Sequence, residues 1–153
     1  MRWLEHRIPP PLAGGLAGVA MWFIARATGG LALDQGLRIL VAALLAAAGV
    51  AFALAGGQAF RRAQTTVNPL KPEAASSLVV AGVYRHTRNP MYVGFACMLL
   101  GWAVYLAAPL ALLGPVLFVA FITRFQILPE ERALAEKFGP EFEAYRQKVR
   151  RWL

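Results

Sequence analysis

The residues best equipped for chemistry lie in one short stretch, GVYRHTRNPMYVG, at positions 82 to 94. It holds two arginines, a histidine, an asparagine, a proline and two tyrosines, and it stands where a polar loop gives way to an apolar run. A second polar group, Glu130 and Glu131, follows a later apolar run. Arginine and asparagine can donate to a carboxylate, and glutamate can accept from an ammonium or hydroxyl group. At membrane depth such groups are costly unless they pair or line a cavity, so they indicate either a binding site or, for the arginines, a plain anchoring role.

The rest of the chain has the composition of a membrane protein. Its 153 residues are 58% hydrophobic and only 16% charged, which suits one domain, 1–153, but is too apolar for an ordinary soluble core. Four runs approach the length that crosses a hydrocarbon core, at about 12–27, 37–60, 91–108 and 110–128. We therefore predict an all-α, polytopic membrane protein with four transmembrane helices.

The basic residues predict the orientation of these spans. Most of the 16 Lys and Arg residues fall before the first span, between the second and third, or after the fourth, whereas the loops on the other side carry only Arg38. By the positive-inside rule both termini face the cytoplasm, and we expect the inner membrane of a bacterium. The net charge of +8 then reflects topology and contact with anionic membrane lipids, so no nucleic-acid partner is expected.

The segment after the fourth span predicts two amphipathic helices on the cytosolic side. Pro129 can begin the first, over about 130–138, and Gly139 ends it. The second is predicted at about 141–152, because an apolar stripe recurs there at helical spacing. The stripe consists of Phe142, Tyr145, Val149 and Trp152. We expect this tail either to lie on the membrane surface or to fold over the cytoplasmic mouth of the bundle.

Two motifs carry a family resemblance. The stretch at 82–94 resembles the signature G-x-Y-x-x-x-R-[HN]-P-x-Y-x-G of the membrane methyltransferases that include isoprenylcysteine carboxyl methyltransferase and the phospholipid N-methyltransferases. The tail EERALAEKFGPEFEAYRQKVRRW is similar to the pattern E-E-x-x-L-x-x-x-F-G-x-x-[YF]-x-x-Y-x-x-x-V of the same superfamily. TTVNPLKPEAASSLVVAG, at 65–82, also resembles the approach to the first motif. The resemblance covers roughly 65–152, whereas the first two spans match only as generic membrane helices.

This resemblance implies methyl transfer from S-adenosyl-L-methionine to a lipophilic acceptor. The cofactor would lie at the cytosolic face, between the first motif, the end of the fourth span and the C-terminal helices. A Rossmann site is not expected, because no G-x-G-x-x-G opens a helix after a strand. The acceptor is expected to enter sideways from the lipid, since a tail folded over the site closes the cytosolic route.

Each group of such a cofactor has candidate partners in the motifs. Aromatic and apolar side chains can form the slot for adenine, Glu130 or Glu131 can accept from the amino group or ribose, and Arg88 and Asn89 can meet the carboxylate. Gly94 either lets the third helix approach the cofactor or packs against another helix. The cofactor-binding candidates are Tyr84, Arg88, Asn89, Pro90, Met91, Tyr92, Gly94, Glu130, Glu131 and Phe138. The catalytic candidates are Glu131, Arg88 and Arg151.

The sequence departs from the family pattern at two places. The better-known relatives carry histidine where this chain has Asn89, and asparagine cannot act as a titrating base near neutral pH. His86 lies three residues earlier, but a solvated loop histidine is the favoured interpretation. The tail reads VRRWL where relatives often read V-P-R, which leaves the role of the terminal arginine open between Arg150 and Arg151.

Several alternatives stay open on sequence alone. An isoprenylcysteine carboxylate, a phospholipid amine and a small thiol all suit a membrane-facing pocket. A non-enzymatic scaffold whose basic loops bind anionic lipid is the alternative from another class. No metal site is expected, because the single Cys97 lies in mid-span and offers no Cys-based ligand set. The oligomeric state is open.

Overall fold

The computed structural model describes residues 5, 7–63 and 77–153, and all regular structure in these ranges is helical. The α-helices are α1 (Pro10–Thr28), α2 (Gln35–Arg62), α3 (Pro90–Leu106), α4 (Leu113–Ile122), α5 (Leu128–Phe138) and α6 (Pro140–Lys148). Short 3-10 turns cover Gly82–Arg85 and Pro109–Leu112, and a π-helical turn covers Thr123–Ile127. The all-α prediction is confirmed for these residues, and most of the segment at 65–82 lies outside them.

Two of the described helices have the length and apolar composition to cross a membrane. They are α2 and the continuous helix Pro109–Phe138, which comprises the 3-10 turn, α4, the π turn and α5. The helix α3 is apolar but shorter, with 17 residues. The apolar part of the long helix ends at Leu128, so that Glu130 and Glu131 lie beyond it.

The ends of the helices follow from local chemistry. Asp34 caps α2, because its carboxylate accepts a hydrogen bond from the Leu37 N–H at 2.8 Å. Pro90 occupies the first turn of α3, where its missing N–H costs nothing. Ala107 ends α3 in the left-handed region at φ 52, and its carbonyl accepts from the Leu31 N–H at 2.7 Å. That bond joins the two turns at the end of the bundle opposite Glu131.

Glycines set the contact between α2 and α3. A Cβ added to Gly94 would lie 2.5 Å from the carbonyl oxygen of Gly49, and one added to Gly101 would lie 2.9 Å from that of Ala42. The two backbones therefore touch where only hydrogen fits. This is the small-residue packing that the Ala- and Gly-rich second span predicts.

The other face of α3 packs against α1 and α4. Met21, Leu99, Phe118 and Ile122 belong to the central core, and all are buried. Trp102 of α3 donates a hydrogen bond through Nε1 to the Gly18 carbonyl at 3.0 Å, which fixes α1 on the bundle. The helices α1, α3 and α4 thus form one core, with α2 held on the far side of α3.

The structure differs from the prediction that Pro129 begins a separate helix. The helix runs without a break from Pro109 to Phe138, and α5 starts at Leu128. A proline inside an α-helix removes one hydrogen bond and its ring clashes with the carbonyl four residues earlier. Here the wider π-helical turn Thr123–Ile127 includes Phe125, the residue four positions before Pro129, and this wider turn gives the proline ring room.

The prediction that the last helix reaches about residue 152 is wrong. The helix α6 ends at Lys148, and Val149 is extended at φ −122 and ψ 133. The reason is competition for carbonyl groups, since those of Arg146, Val149, Arg150 and Arg151 accept hydrogen bonds from residues 87–89 instead. The apolar stripe of the tail faces the protein, with Phe142 only 1% exposed. Of the two predicted placements, the structure shows the tail folded over the end of the bundle.

Candidate active site

An ion-pair cluster joins the two sequence motifs. Glu131 Oε1 lies 2.6 Å from Arg88 Nη2, and the same carboxylate accepts two hydrogen bonds from Arg151, at 2.9 Å from Nε and 2.7 Å from Nη2. The side chains of Arg88 and Glu131 are only 9% and 10% exposed. The contact between Arg151 and Glu131 is bidentate, a geometry that adds both strength and directional specificity to a charge-assisted hydrogen bond. The three catalytic candidates are therefore in direct contact.

Arg88 also binds the C-terminal segment. Its Nη1 donates to the carbonyls of Val149 and Arg146, at 2.6 and 3.0 Å, and its backbone N–H donates to the Arg150 carbonyl at 2.9 Å. One donor of this guanidinium, Nε, is buried without a partner in the described part of the chain. Arg88 thus ties the start of α3 to the tail and keeps one N–H for another group.

Asn89 continues the same contact. Its Nδ2 donates to the Arg151 carbonyl at 2.9 Å, and the buried Thr87 hydroxyl donates to that oxygen at 3.2 Å. Asparagine at this position acts as a donor to backbone, a role that needs no titratable nitrogen. His86 is exposed, as expected for a solvated loop residue.

The structure separates Arg150 from Arg151. Arg150 is exposed and contributes its carbonyl, whereas the Arg151 side chain reaches Glu131. The hydrogen bonds that Arg151 donates to the Glu131 carboxylate raise the pKa of Arg151 above its ordinary value. The side chain that contacts Glu131 is therefore that of the second arginine of the pair.

The pKa values of the neighbouring Glu130 and Glu131 are shifted in opposite directions. Burial raises the pKa of Glu130 to about 8, although its Oε1 accepts a hydrogen bond from the Tyr92 hydroxyl at 2.6 Å. Burial acts on Glu131 in the same direction, but the hydrogen bonds from Arg151 and Arg88 outweigh it and lower the pKa. Two adjacent carboxyl groups with separated pKa values are typical of acid–base sites. Glu131 stays ionised, and Glu130 can exchange a proton near neutral pH.

Tyr84 forms a wall beside this cluster. It is 5% exposed, its carbonyl accepts a hydrogen bond from the Tyr145 hydroxyl at 2.8 Å, and its ring meets Phe60 edge-on with centroids 5.5 Å apart. Burial raises the pKa of both Tyr84 and Tyr145, so the phenols stay neutral. These contacts place an aromatic surface between α2, the first motif and α6.

The remaining cofactor candidates lie at different distances from the cluster. Pro90 is buried at the start of α3, and Phe138 is half-buried at the end of α5, about two turns beyond Glu131. Met91 and Gly94 face α2, where their neighbours are Gly56 and Gly49. For Gly94 the geometry supports helix packing. The binding roles of all these residues stay predictions.

Polar residues inside the fourth apolar run were missed by the sequence analysis. Thr123 accepts a hydrogen bond from Trp152 Nε1 at 3.1 Å, which anchors the end of the tail to the long helix. Gln126 is fully buried and donates through Nε2 to the Ile8 carbonyl at 2.8 Å. Two hydrogen-bonding residues three apart within an apolar run were the available signal. Both belong to the π-helical turn.

An apolar groove runs between α1 and α3. It has a volume of about 550 Å³ and its lining is almost wholly apolar. Three glycines of α1 and two tryptophans are among its lining residues. The lining residues are Pro11, Gly14, Gly15, Gly18, Val19, Trp22, Phe95, Met98, Leu99 and Trp102. One lining residue, Phe95, lies three residues after Tyr92 on α3, which is about one helical turn.

Comparisons with known proteins identify several similar sequences. The chain is 48% identical over 63 residues to an uncharacterized protein of Haemophilus influenzae, covering 41% of this chain and 100% of that protein. It is 37% identical over 82 residues to the protein-S-isoprenylcysteine O-methyltransferase of Saccharomyces cerevisiae, covering 52% of this chain and 33% of the relative. A probable protein-S-isoprenylcysteine O-methyltransferase of Oryza sativa subsp. indica is 38% identical over 91 residues, which cover 58% of this chain and 46% of the relative. No solved structure matches.

The family assignment rests on a longer match. The chain spans less than half the length of the two named methyltransferases, so these pairs alone define only a shared segment. The model of the phospholipid methyltransferase family matches residues 37–141, from α2 to the start of α6. That range contains the first motif, Glu130 and Glu131. The chain therefore belongs to the phospholipid methyltransferase family.

Proposed function

We propose that this chain transfers a methyl group from S-adenosyl-L-methionine to a lipophilic acceptor within a membrane. The observation that carries the proposal is the contact of both motifs in one buried cluster, with an ionised Glu131 beside a Glu130 of raised pKa. A surface anchor for anionic lipid needs exposed cations, whereas Arg88 and Glu131 are buried against each other. This burial favours a methyltransferase over a non-enzymatic scaffold.

The groups around the cluster fit the cofactor. The half-buried carboxyl group of Glu130 can accept from the α-amino group or the ribose, and the unpartnered Nε of Arg88 can donate to the α-carboxylate. The neutral rings of Tyr84 and Tyr92 offer an apolar wall for adenine. When bound, the cofactor supplies an activated methyl group on a sulfonium.

The chain itself aligns the reactants, excludes water from the site and supplies a proton acceptor. The tail is held over the site by the hydrogen bonds from residues 87–89 and by Trp152 on Thr123. A closed tail excludes water and aligns the two reactants, which is most of what transfer from an activated donor requires. Glu130 is placed to take a proton from an acceptor that must first lose one.

The membrane arrangement belongs to the same proposal. The chain forms one membrane domain, 1–153, in the inner membrane of a bacterium, with spans at about 12–27, 37–60, 91–108 and 110–128 and cytosolic termini. The exposed apolar side chains on the outer faces of α1, α2 and α4 support it, since so many on one small protein suit contact with lipid. Examples are Leu16, Phe23, Leu44, Leu54, Val116 and Leu117.

The groove between α1 and α3 suits the hydrocarbon chain of the acceptor. Its lining is almost wholly apolar and includes Phe95, which lies about one helical turn from Tyr92 on α3. A Cβ added to Gly15 meets no atom within 4 Å, so a larger side chain there can grow into the groove without disturbing the protein. A small thiol has no hydrocarbon chain that could occupy this groove.

Gly15→Leu tests the function and the groove together. We expect methyl transfer from labelled S-adenosylmethionine to extracted membrane lipid to fall about tenfold, because the new side chain displaces roughly 1.4 kcal/mol of apolar contact. Binding of S-adenosylmethionine should be unchanged. Gly57→Leu is the matched control, since a Cβ at Gly57 of α2 also meets nothing within 4 Å but lies outside the groove. Equal rates for the two variants would remove the groove from the acceptor site, and no transfer by the wild type would refute the function.

A further inference from the structure

Two arginines at the end of the bundle opposite Glu131 lack a counter-ion. Arg26 lies in the last turn of α1, and Arg38 lies near the start of α2. The side chains of both form neither an ion pair nor a hydrogen bond with any residue in the ranges 5, 7–63 and 77–153. Asp34, the acidic residue of the turn between them, instead caps α2 at the Leu37 N–H. Two positive charges at this end are therefore uncompensated within the described ranges.

Both arginines contact aromatic rings beside the groove between α1 and α3. The guanidinium carbon of Arg26 lies 5.2 Å from the centre of the Trp22 ring, and that of Arg38 lies 5.6 Å from the centre of the Tyr105 ring. Tyr105 in turn stacks on Trp102, with ring centroids 5.3 Å apart and planes inclined by 12°. Trp22 and Trp102 both line the apolar groove. The cation–π contacts thus hold both guanidinium groups near the tryptophan-lined part of the groove.

The surroundings of Arg38 favour an anion that comes from the membrane. Arg38 is half-buried, and its Nε is buried without a partner among the described residues. Its two Nη groups also lack a partner there but are not enclosed, so a ligand can reach them. Leu31, Leu33 and Leu37 are exposed by 54%, 52% and 62%, which suits contact with lipid. A partly desolvated cation at such an interface is costly without a counter-ion.

We propose that this end of the bundle binds an anionic phospholipid, whose phosphodiester contacts Arg26 and Arg38 and whose acyl chain packs against Trp22 and Trp102. A guanidinium group presents paired N–H donors that match the oxygens of a phosphate. The groove beside the two tryptophans is apolar enough to take the chain. A zwitterionic lipid brings an ammonium group close to two unpaired cations, so an anionic head group is favoured.

This lipid is distinct from the methyl acceptor. Tyr105 follows Tyr92 by thirteen residues on α3, which corresponds to about 20 Å along the helix axis. A head group at Arg38 is therefore too far from Glu130 to react there. The lipid enters the groove from the end opposite the acceptor. The inference holds whether or not the chain transfers a methyl group.

The test is lipid binding to the full chain in detergent, measured by native mass spectrometry. The probes are phosphatidylglycerol, which is anionic, and phosphatidylcholine with the same acyl chains. We expect phosphatidylglycerol to bind about tenfold more tightly. Arg26→Gln combined with Arg38→Gln should weaken binding of phosphatidylglycerol about tenfold and change that of phosphatidylcholine little. Arg26→Gln alone, at an exposed position, should give a smaller loss and serves if the double variant unfolds.

Arg61→Gln combined with Arg62→Gln is the matched control. These exposed arginines lie at the other end of α2, so their replacement removes the same charge from a different place. We expect this variant to bind phosphatidylglycerol as the wild type does. An equal loss in the two double variants would show a general attraction between cations and anionic lipid, and it would overturn the inference. Equal affinity of the wild type for the two lipids would overturn it as well.

A competitor separates a lipid from a soluble phosphate compound. Glycerophosphoglycerol is the head group of phosphatidylglycerol without its acyl chains. We expect it to leave the bound lipid in place even in large excess, because it makes no contact with the groove. Displacement of the lipid by this compound would contradict the role of Trp22 and Trp102, and the site would then be one for a soluble phosphodiester.

Discussion

Glu131→Gln is expected to lower the apparent melting temperature of the ligand-free protein by about 6 to 12 °C. The substitution keeps the shape of the side chain but leaves the guanidinium groups of Arg88 and Arg151 without their counter-ion. Removing one partner of a buried ion pair costs about 3 kcal/mol or more. For a chain of this length each kcal/mol shifts the melting temperature by about 2 to 4 °C. Thermal unfolding in detergent, followed by circular dichroism, measures the effect.

Glu136→Gln is the matched control for that experiment. Glu136 lies on the same helix and is exposed, so neutralising it should change the melting temperature little. Equal and small shifts in the two variants would contradict the placement of Glu131 at the centre of the cluster.

The ion pairs of Glu131 also make the stability of the protein depend on pH. The pKa of Glu131 is lowered in the folded state. Its ionisation therefore contributes to the free energy of unfolding above the ordinary glutamate pKa, and this contribution is lost as the pH falls through the lowered pKa.

Gly94→Ala is expected to destabilise the bundle by about 2 to 3 kcal/mol. Its new Cβ would lie 2.5 Å from the Gly49 carbonyl oxygen and 3.0 Å from the Ala53 nitrogen. Backbone atoms cannot rotate away as a side chain can, so α2 and α3 must separate along their contact. Because α3 also carries Tyr92, the shift should lower cofactor affinity as a secondary effect.

Gly57→Ala provides the comparison. The same substitution on α2 meets nothing within 4 Å, and alanine favours the helix by about 0.5 kcal/mol over glycine. We expect a slight rise in melting temperature for Gly57→Ala and a clear fall for Gly94→Ala. A tolerated Gly94→Ala would show that the two helices are not in backbone contact, and the approach of Gly94 to a ligand would then become the better explanation for a glycine there.

Much of the helical framework follows from the sequence alone. Runs of apolar residues predict α1, α2 and α3 within a few residues of their observed bounds. Asp34 marks the start of α2 and Pro90 marks the start of α3. The association of the first motif with Glu131 also follows, since a tight turn between the third and fourth runs returns both to one end. The roles of these residues toward a ligand stay predictions.

Tertiary contacts decide what sequence reasoning misplaces. Pro129 signals a helix start, yet the π-helical turn before it lets the helix continue, and no local pattern announces that turn. The stripe from Phe142 to Trp152 has helical spacing, yet the carbonyls after Lys148 bind Arg88 and Asn89 from the other motif. The sequence analysis missed Gln126 because a single amide within an apolar run is common in helices. Only the structure shows that the side chain is buried and that its Oε1 has no partner among the described residues.

Direct binding of S-adenosylmethionine tests the central claim most simply. Isothermal titration of the full chain in detergent should show one site per chain, with S-adenosylhomocysteine competing for it. Tyr92→Phe, which removes only the hydroxyl that donates to Glu130, should weaken binding about tenfold, while the exposed-site variant Glu136→Gln binds as the wild type does. Saturable binding that responds to Tyr92 and not to Glu136 is the predicted result. Folded protein that binds neither cofactor nor product would contradict the account.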